Sequence, residues 1–335
     1  MKAVSISSII IALIFIAVLS ACKKDKQESD KVIISTLAGS TDGFADGSGA
    51  ATKFNRLRGI ATDPGGYSYV TDAGNYCIRK ISPSGVVSTP PLKDANGNAF
   101  KFREPEAIAM DGQGNTYVTE RFSILKITFA GVVSTLAGSN TSGFADGPGG
   151  SAKFSLLKRI STDAQNNIYV TELSNRIRKI SSSGMVSTLA GDGTAGYIDG
   201  NGKSAKFNDL RGIAVDVQGN VFVADAVNAS IRKVTPSGFV STIATVGQPG
   251  AYSSNYPSGI AIDVEGNIFM SSRDCQIRKI LPSGTVKTIA GGTCGYVDGN
   301  GSAARFSSFN ELATDAKGNI YLADYMNSRV RKISK

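Results

Sequence analysis

The 335-residue sequence predicts an all-β, six-bladed β-propeller. Three observations carry this expectation: a phrase that recurs six times in phase, four short strands with turn signals in every copy, and 38 glycines in a chain without tryptophan or histidine. A recurrence near fifty residues marks a repeat architecture, and four strands per copy mark propeller blades. Hydrophobic residues make up 41% of the chain and recur regularly, whereas only 19% are charged, a balance that suits a packed core and not a disordered chain.

The copies are anchored on an Asp that follows a short apolar run: Asp63, Asp111, Asp163, Asp216, Asp263 and Asp315. Their spacings are 48, 52, 53, 47 and 52 residues, which suggests a three-blade unit duplicated. Within each copy, strand A is of the type Gly-Ile-Ala-x-Asp, and "DxxGN" makes a tight turn whose Gly or Asn tolerates positive φ. Strand B follows as Ile-Tyr-Val-x-Asp, a turn carrying Asn leads to strand C ("IRKI"), and "PSG" turns into strand D ("VVSTLAG"). The last copy, from Gly318 to Lys335, ends after strand C. Its missing strand D is present at the other end as "VIISTLAG", Val32 to Gly39, so the N-terminal strand is expected to complete the last blade and close the ring without an exposed edge.

These phrases resemble the NHL-repeat family of six-bladed propellers from Val32 to Lys335. The segment "AGSTDGFADGSGAATKFNRLRGIA" (Ala38 to Ala61) is similar to the way that family joins one blade to the next. The absence of Trp argues against WD40 blades.

The N-terminus reads as an export signal. Lys2 precedes an unbroken apolar run from Ile9 to Leu19, too short for an ordinary spanning helix of roughly 20 residues. The run closes on Leu19-Ser20-Ala21-Cys22, which resembles the lipobox of bacterial lipoproteins and implies lipidation at Cys22. The expected layout is a signal peptide over 1–21, the lipidated Cys and a polar tether over 22–30, and the propeller over 31–335. Lys23 after the Cys, where the family's inner-membrane retention signal is Asp, favours the outer membrane of a Gram-negative bacterium. Outside the cytoplasm disulfides are permitted; Cys275 and Cys294 are the only pair close in sequence, with simple buried thiols as the alternative.

Repetition separates scaffold from site. The Asp at each strand A end occurs in all six copies and reads as a turn cap. The acid closing strand B (Asp72, Glu120, Glu172, Asp225 and Asp324) reads chiefly as a turn residue too. Phe54, Phe102, Phe154, Phe207 and Phe306 read as interblade plugs. "DGNG" at Asp199 and Asp298 lacks the full alternation of a calcium loop, so turn structure is the expectation there. The strand C bases, including Arg79, Arg178, Arg232, Arg278 and Arg331, account for much of the +9 charge and read as a solvated symmetric pattern. Nucleic acid is not an expected partner of an exported chain.

Function is expected where the repeat breaks. Two junctions lack the "GFxDG" phrase, from Pro90 to Glu106 and from Thr245 to Ser258. They lead into blades 2 and 5, which are opposite in a ring of six, so a groove over the channel mouth is anticipated. Residues opening each strand A should ring that mouth and differ from blade to blade: Arg58, Glu106, Lys158, Arg211, Ser258 and Asn310. Tyr325, Arg121, Phe122 and Arg273, in strand B to C turns on the same face, can extend the site.

No catalytic constellation emerges. The peptide-amidating and streptogramin lyases built on similar blades depend on His, which this chain lacks. The reading is therefore a lipid-anchored, non-catalytic binding module, monomeric and without cofactor, that recognises a protein, peptide or glycan on the loop-bearing face. The alternative is a gluconolactonase-like hydrolase holding a divalent metal through Glu106, Glu311 and Asn310.

Overall fold

The computed structural model describes residues 32–250, 255–307 and 311–334. The leader, Cys22 and the tether lie outside these, as does Asn310.

Six antiparallel sheets form the blades of one ring. Blade 1 runs Leu57–Thr62 (A), Ser68–Asp72 (B), Cys77–Ile81 (C) and Val86–Ser88 (D). Blade 2 runs Pro105–Met110, Thr116–Glu120, Ser123–Ile127 and Val133–Gly138, and blade 3 Leu157–Thr162, Ile168–Glu172, Ile177–Ile180 and Met185–Ala190. Blade 4 runs Leu210–Val215, Val221–Asp225, Ser230–Val234 and Phe239–Thr245, and blade 5 Pro257–Ile262, Ile268–Ser272, Gln276–Ile280 and Val286–Gly291. Blade 6 takes strands A to C from Glu311–Thr314, Ile320–Asp324 and Arg329–Ser334, and strand D from the other end of the chain, Ile33–Gly39. Ile34 sits opposite Ile333 and Thr36 opposite Arg331, so the N-terminal strand closes the ring as anticipated.

Each strand A to B turn is built the same way. Asp63 accepts the Tyr67 N–H at 2.9 Å, and Gly66 takes φ +81°. In blade 3 Asn166 fills that left-handed position at φ +61°, which Asn tolerates better than most side chains. Six buried apolar clusters hold the ring together, one at each interface between neighbouring blades. Phe54 packs with Leu57 and Tyr321 between blades 1 and 6, and Phe154, Phe207 and Phe306 repeat the role. Apolar burial at these interfaces is the main stabilising term, because neighbouring blades share no ladder.

Two sequence readings are corrected here. Arg79, Arg178, Arg232 and Arg331 are not solvated: their side chains are fully buried. Each pairs with the strand B acid of its own blade, Asp72, Glu172, Asp225 or Asp324, at 2.6–2.9 Å. Those acids are thus counter-ions as well as turn residues, and Asp72 also accepts the Asn55 N–H at 2.7 Å. The second partner is the Asp of the "GFxDG" junction, Asp46, Asp146, Asp199 or Asp298. The residues that superficially matched a calcium loop therefore ligate arginine.

The junction Asp also accepts the Thr N–H of strand D, as Asp199 does from Thr242 at 2.9 Å. Just beyond it the chain adds a two-residue fifth strand to blades 1, 3, 4 and 6. Blades 2 and 5 have four strands. In blade 2 the arginine is replaced by Leu125, opposite Val118 as Arg79 is opposite Val70. In blade 5 Arg278 turns to Asp274, because strand B there ends in Ser272.

Candidate functional site

Strand A of every blade lines the central channel, so the residues that open it face the mouth. The residue after each opener is small in four blades, for a steric reason. A Cβ on Gly59 would lie 2.8 Å from the Ala107 Cα, and one on Gly212 2.4 Å from the Ser258 carbonyl oxygen. Blades 3 and 6 break this rule with Arg159 and Glu311, and these blades are opposite each other.

Arg159 spans the mouth. Its Nε donates to Glu311 on the far side, and its Nη1 donates to Glu106 on neighbouring blade 2 at 2.9 Å. Glu106 is also paired with Arg58 of blade 1, and Lys158 of blade 3 with Asp209. Asp209 accepts a second bond from Arg211 Nε at 2.9 Å. The inner ring is thus four cations on three carboxylates. Around it stand Arg56, Arg121 and Arg273 with Glu104, so the face carries excess positive charge. Burial lowers the Arg58 pKa most, helped by the like charge of nearby Arg56 and Arg159. Burial resists ionisation of Asp209, yet the Lys158 hydrogen bond and charge, with Arg211, hold its carboxyl below the ordinary range. For Glu311, burial wins and raises the carboxyl despite Arg159.

Below this bridge the channel holds a cavity of about 190 Å³ lined by Ile60, Ile108, Ile160, Ile213, Ile260 and Leu312, one from each blade, and also by Thr62, Thr162, Thr314, Arg159 and Glu311. The charged ring lies above it, at the mouth. There a cavity of about 290 Å³ is lined by Arg58, Glu106, Lys158, Arg211 and Ser258, five of the six anticipated ring positions, and also by Arg159, Glu104, Arg121 and Leu156. Tyr325 stands at the rim, where its hydroxyl accepts from Arg56 Nε at 3.3 Å.

Arg159 and Asp209 were missed by sequence reasoning. For Arg159 a signal was present: "KRIS" and "NELA" depart from "RGIA" at the same second position, half a ring apart, where Arg159 and Glu311 stand; Asp209 had no such signal. Cys275 and Cys294 are bonded, with Cα atoms 5.1 Å apart, and tie the blade 5 strand B to C turn to the junction entering blade 6.

Glu106 and Glu311 suit a guanidinium better than a divalent cation. Arg159 occupies the space between the two carboxylates and satisfies an oxygen on each. Among the described residues no group of three or more His, Cys, Asp or Glu is arranged to hold a metal ion.

The fold is that of the six-bladed β-propellers. An auxiliary nutrient-binding protein from Bacteroides thetaiotaomicron superposes with a TM-score of 0.67 at 16% identity, covering 91% of this chain and 76% of that one. A gluconolactonase from Xanthomonas campestris superposes at 0.59 and 12%, covering 90% and 89%. Virginiamycin B lyase from Staphylococcus aureus gives 0.56 and 14%, covering 91% and 99%. In sequence, the chain is 36% identical over 95 residues to the chloroplastic protein SUPPRESSOR OF QUENCHING 1 of Arabidopsis thaliana. That match covers 27% of this chain and 9% of the plant protein's length. No protein-family model matches the chain, and the NHL-repeat resemblance rests on the blade phrases themselves.

Proposed function

We propose that the chain is a lipid-anchored, extracytoplasmic binding module that recognises its ligand at the cation-rich channel mouth without transforming it. The observation that carries this reading is the Arg159 bridge. It commits Glu106 and Glu311, the carboxylates a metal-dependent hydrolase on this scaffold would present, to a structural cross-link. General acid–base catalysis by imidazole is excluded by composition, since the chain has no His. The anchor follows from the lipobox-like Leu19-Ser20-Ala21-Cys22, and placement in the outer membrane from Lys23. Neighbours of this fold include both a nutrient-binding protein and lactone hydrolases, so the site and not the fold decides between them.

The test has two parts. Cells expressing the chain with Cys22→Ser should release it from the membrane fraction and stop incorporating labelled palmitate. Purified protein spanning 31–335 should bind a ligand on the mouth face and leave sugar lactones intact. Lactone turnover that falls in Glu106→Gln would overturn the non-catalytic reading.

A further inference from the structure

Blade 2 departs from the repeat in three linked ways. It lacks the fifth strand, Leu125 replaces the buried arginine, and Glu120 pairs directly with Ser123, leaving a strand B to C turn of only two residues, Arg121 and Phe122. Blades 1, 4 and 6 have four residues in that turn. Without an arginine at its side, Glu120 keeps the backbone contact that Asp72, Asp225 and Asp324 also make, accepting the N–H groups of Arg103 and Glu104 at 2.5 and 3.1 Å.

The short turn leaves a cavity of about 430 Å³ above blade 2, lined by Arg103, Glu120, Phe122, Ser123, Ser139 and Asn140 together with Glu104 and Arg121. Glu104 and Arg121, an ion pair at 3.7 Å, also line the mouth cavity, so the two spaces adjoin across that pair. Together they lie in the range of about 300–1,000 Å³ usual for small-ligand sites. The result is a radial groove, cationic at its inner end over Arg58, Lys158 and Arg211. Its outer end combines hydroxyl and amide groups with the half-buried Phe122 ring, over which the Arg121 guanidinium lies at 5.4 Å.

We propose that this groove binds an acidic oligosaccharide, with one uronate carboxylate on the inner cations and further sugar residues extending outward over Phe122. The proposal rests on the binding-module reading and names its ligand class. A carboxylate is the planar partner that the guanidinium groups of Arg58 and Arg211 fit. Sugar hydroxyls match Ser123, Ser139 and Asn140, and the apolar C–H face of a pyranose matches the Phe122 ring. A compact anion would need only the inner end and gives the outer cavity no role.

Isothermal titration with galacturonate, its trimer and its hexamer, beside neutral glucose oligomers and oligo-glutamate of equal length, separates the outcomes. The trimer is expected to bind at least tenfold more tightly than the monomer, and the neutral series not at all. Raising salt should weaken the trimer, because partly exposed charges are screened. Phe122→Ala should remove the trimer's advantage without changing monomer binding, whereas Arg211→Gln should weaken both. Val264→Ser, on the opposite face, serves as the control. Equal affinity for trimer and monomer, or for neutral and acidic oligomers, would overturn the groove proposal. Oligo-glutamate binding without uronate binding would overturn the sugar and leave the binding module standing. Shorter fragments accumulating during the titration would overturn the binding module itself.

Discussion

Arg159 on blade 3 reaches across the channel mouth to Glu311 on blade 6, while its other arm holds Glu106 on blade 2 at 2.9 Å. One side chain thus cross-braces three blades. The Arg159 and Glu311 side chains are 17% and 9% exposed, enough to remove most solvent screening but not all. Removing only one partner of such a pair leaves an uncompensated charge. Arg159→Met is therefore expected to cost about 3 kcal/mol, the low end for buried pairs. Adding Glu311→Leu should restore most of that loss, because Glu106 keeps Arg58. Urea unfolding of the two variants measures both values.

The buried arginines make a sharper case. Arg232→Leu would strand Asp225, whose side chain is fully buried, and should cost about 3–5 kcal/mol. Arg232→Leu with Asp225→Asn should be less destabilised than the single variant, since the amide oxygen can still accept the Asn208 N–H that Asp225 now takes at 2.7 Å. Blade 2 shows why: Leu125 is accommodated there with Glu120 turned to backbone N–H groups. Equal losses in both variants would mean that the charge pair is not the source of the cost.

Stability should fall on the alkaline side. Burial, then the hydrogen bond each donates to Asp111 or Asp163, raises the pKa of Tyr117 and Tyr169, and burial with the Asp315 charge does the same for Tyr321. A raised phenol pKa means that the fold prefers the neutral form. The stabilisation is complete below about pH 10 and drains away above it, as the unfolded chain ionises first. Tyr117→Phe should lower stability by about 1 kcal/mol at neutral pH through the lost hydrogen bond, yet flatten the decline above pH 10. Thermal melts from pH 7 to 11 test this. The Cys77 thiol, pushed up to about 12 mainly by burial, should alkylate slowly at pH 8 in the folded protein and rapidly in urea.

The disulfide should contribute through chain closure. Cys275 and Cys294 are 19 residues apart, for which loop entropy gives about 3 kcal/mol. Replacing both with Ser should lower stability by that order while leaving the other five blades assembled, measured as a reduced unfolding midpoint with unchanged far-ultraviolet circular dichroism.

Much of the scaffold is legible in the sequence because it repeats. The Asp63-type turn, the four-strand blade and the N-terminal closure each recur or complete a recurrence, and local turn chemistry fixes them. The arginine cores were harder to read. A basic residue in a strand alternating with exposed ones reads as surface, and only tertiary contact shows Arg79 between Asp72 and Asp46. Co-occurrence was a partial signal: "GFxDG" and the strand C arginine are lost together in blade 2, whereas blade 5 loses the phrase and keeps Arg278, paired with Asp274. The mouth was half legible. Its ring positions follow from the repeat, but the reach of Arg159 to a blade half the chain away does not follow from sequence spacing. Nor does the cavity over blade 2, which exists because a turn is two residues shorter than in blades 1, 4 and 6.

The central claim is that arginine, and not a metal, organises the mouth carboxylates. It is tested most directly by the melting temperature of protein spanning 31–335 in EDTA and then with calcium, magnesium, manganese or zinc. An ion that binds only the folded state at a hundredfold its dissociation constant stabilises by about 2.7 kcal/mol, readily seen as a shift of several degrees. The account predicts no shift with any of the four. An upward shift with one of them, abolished by Glu106→Gln or Glu311→Gln, would contradict it and make the mouth a metal centre.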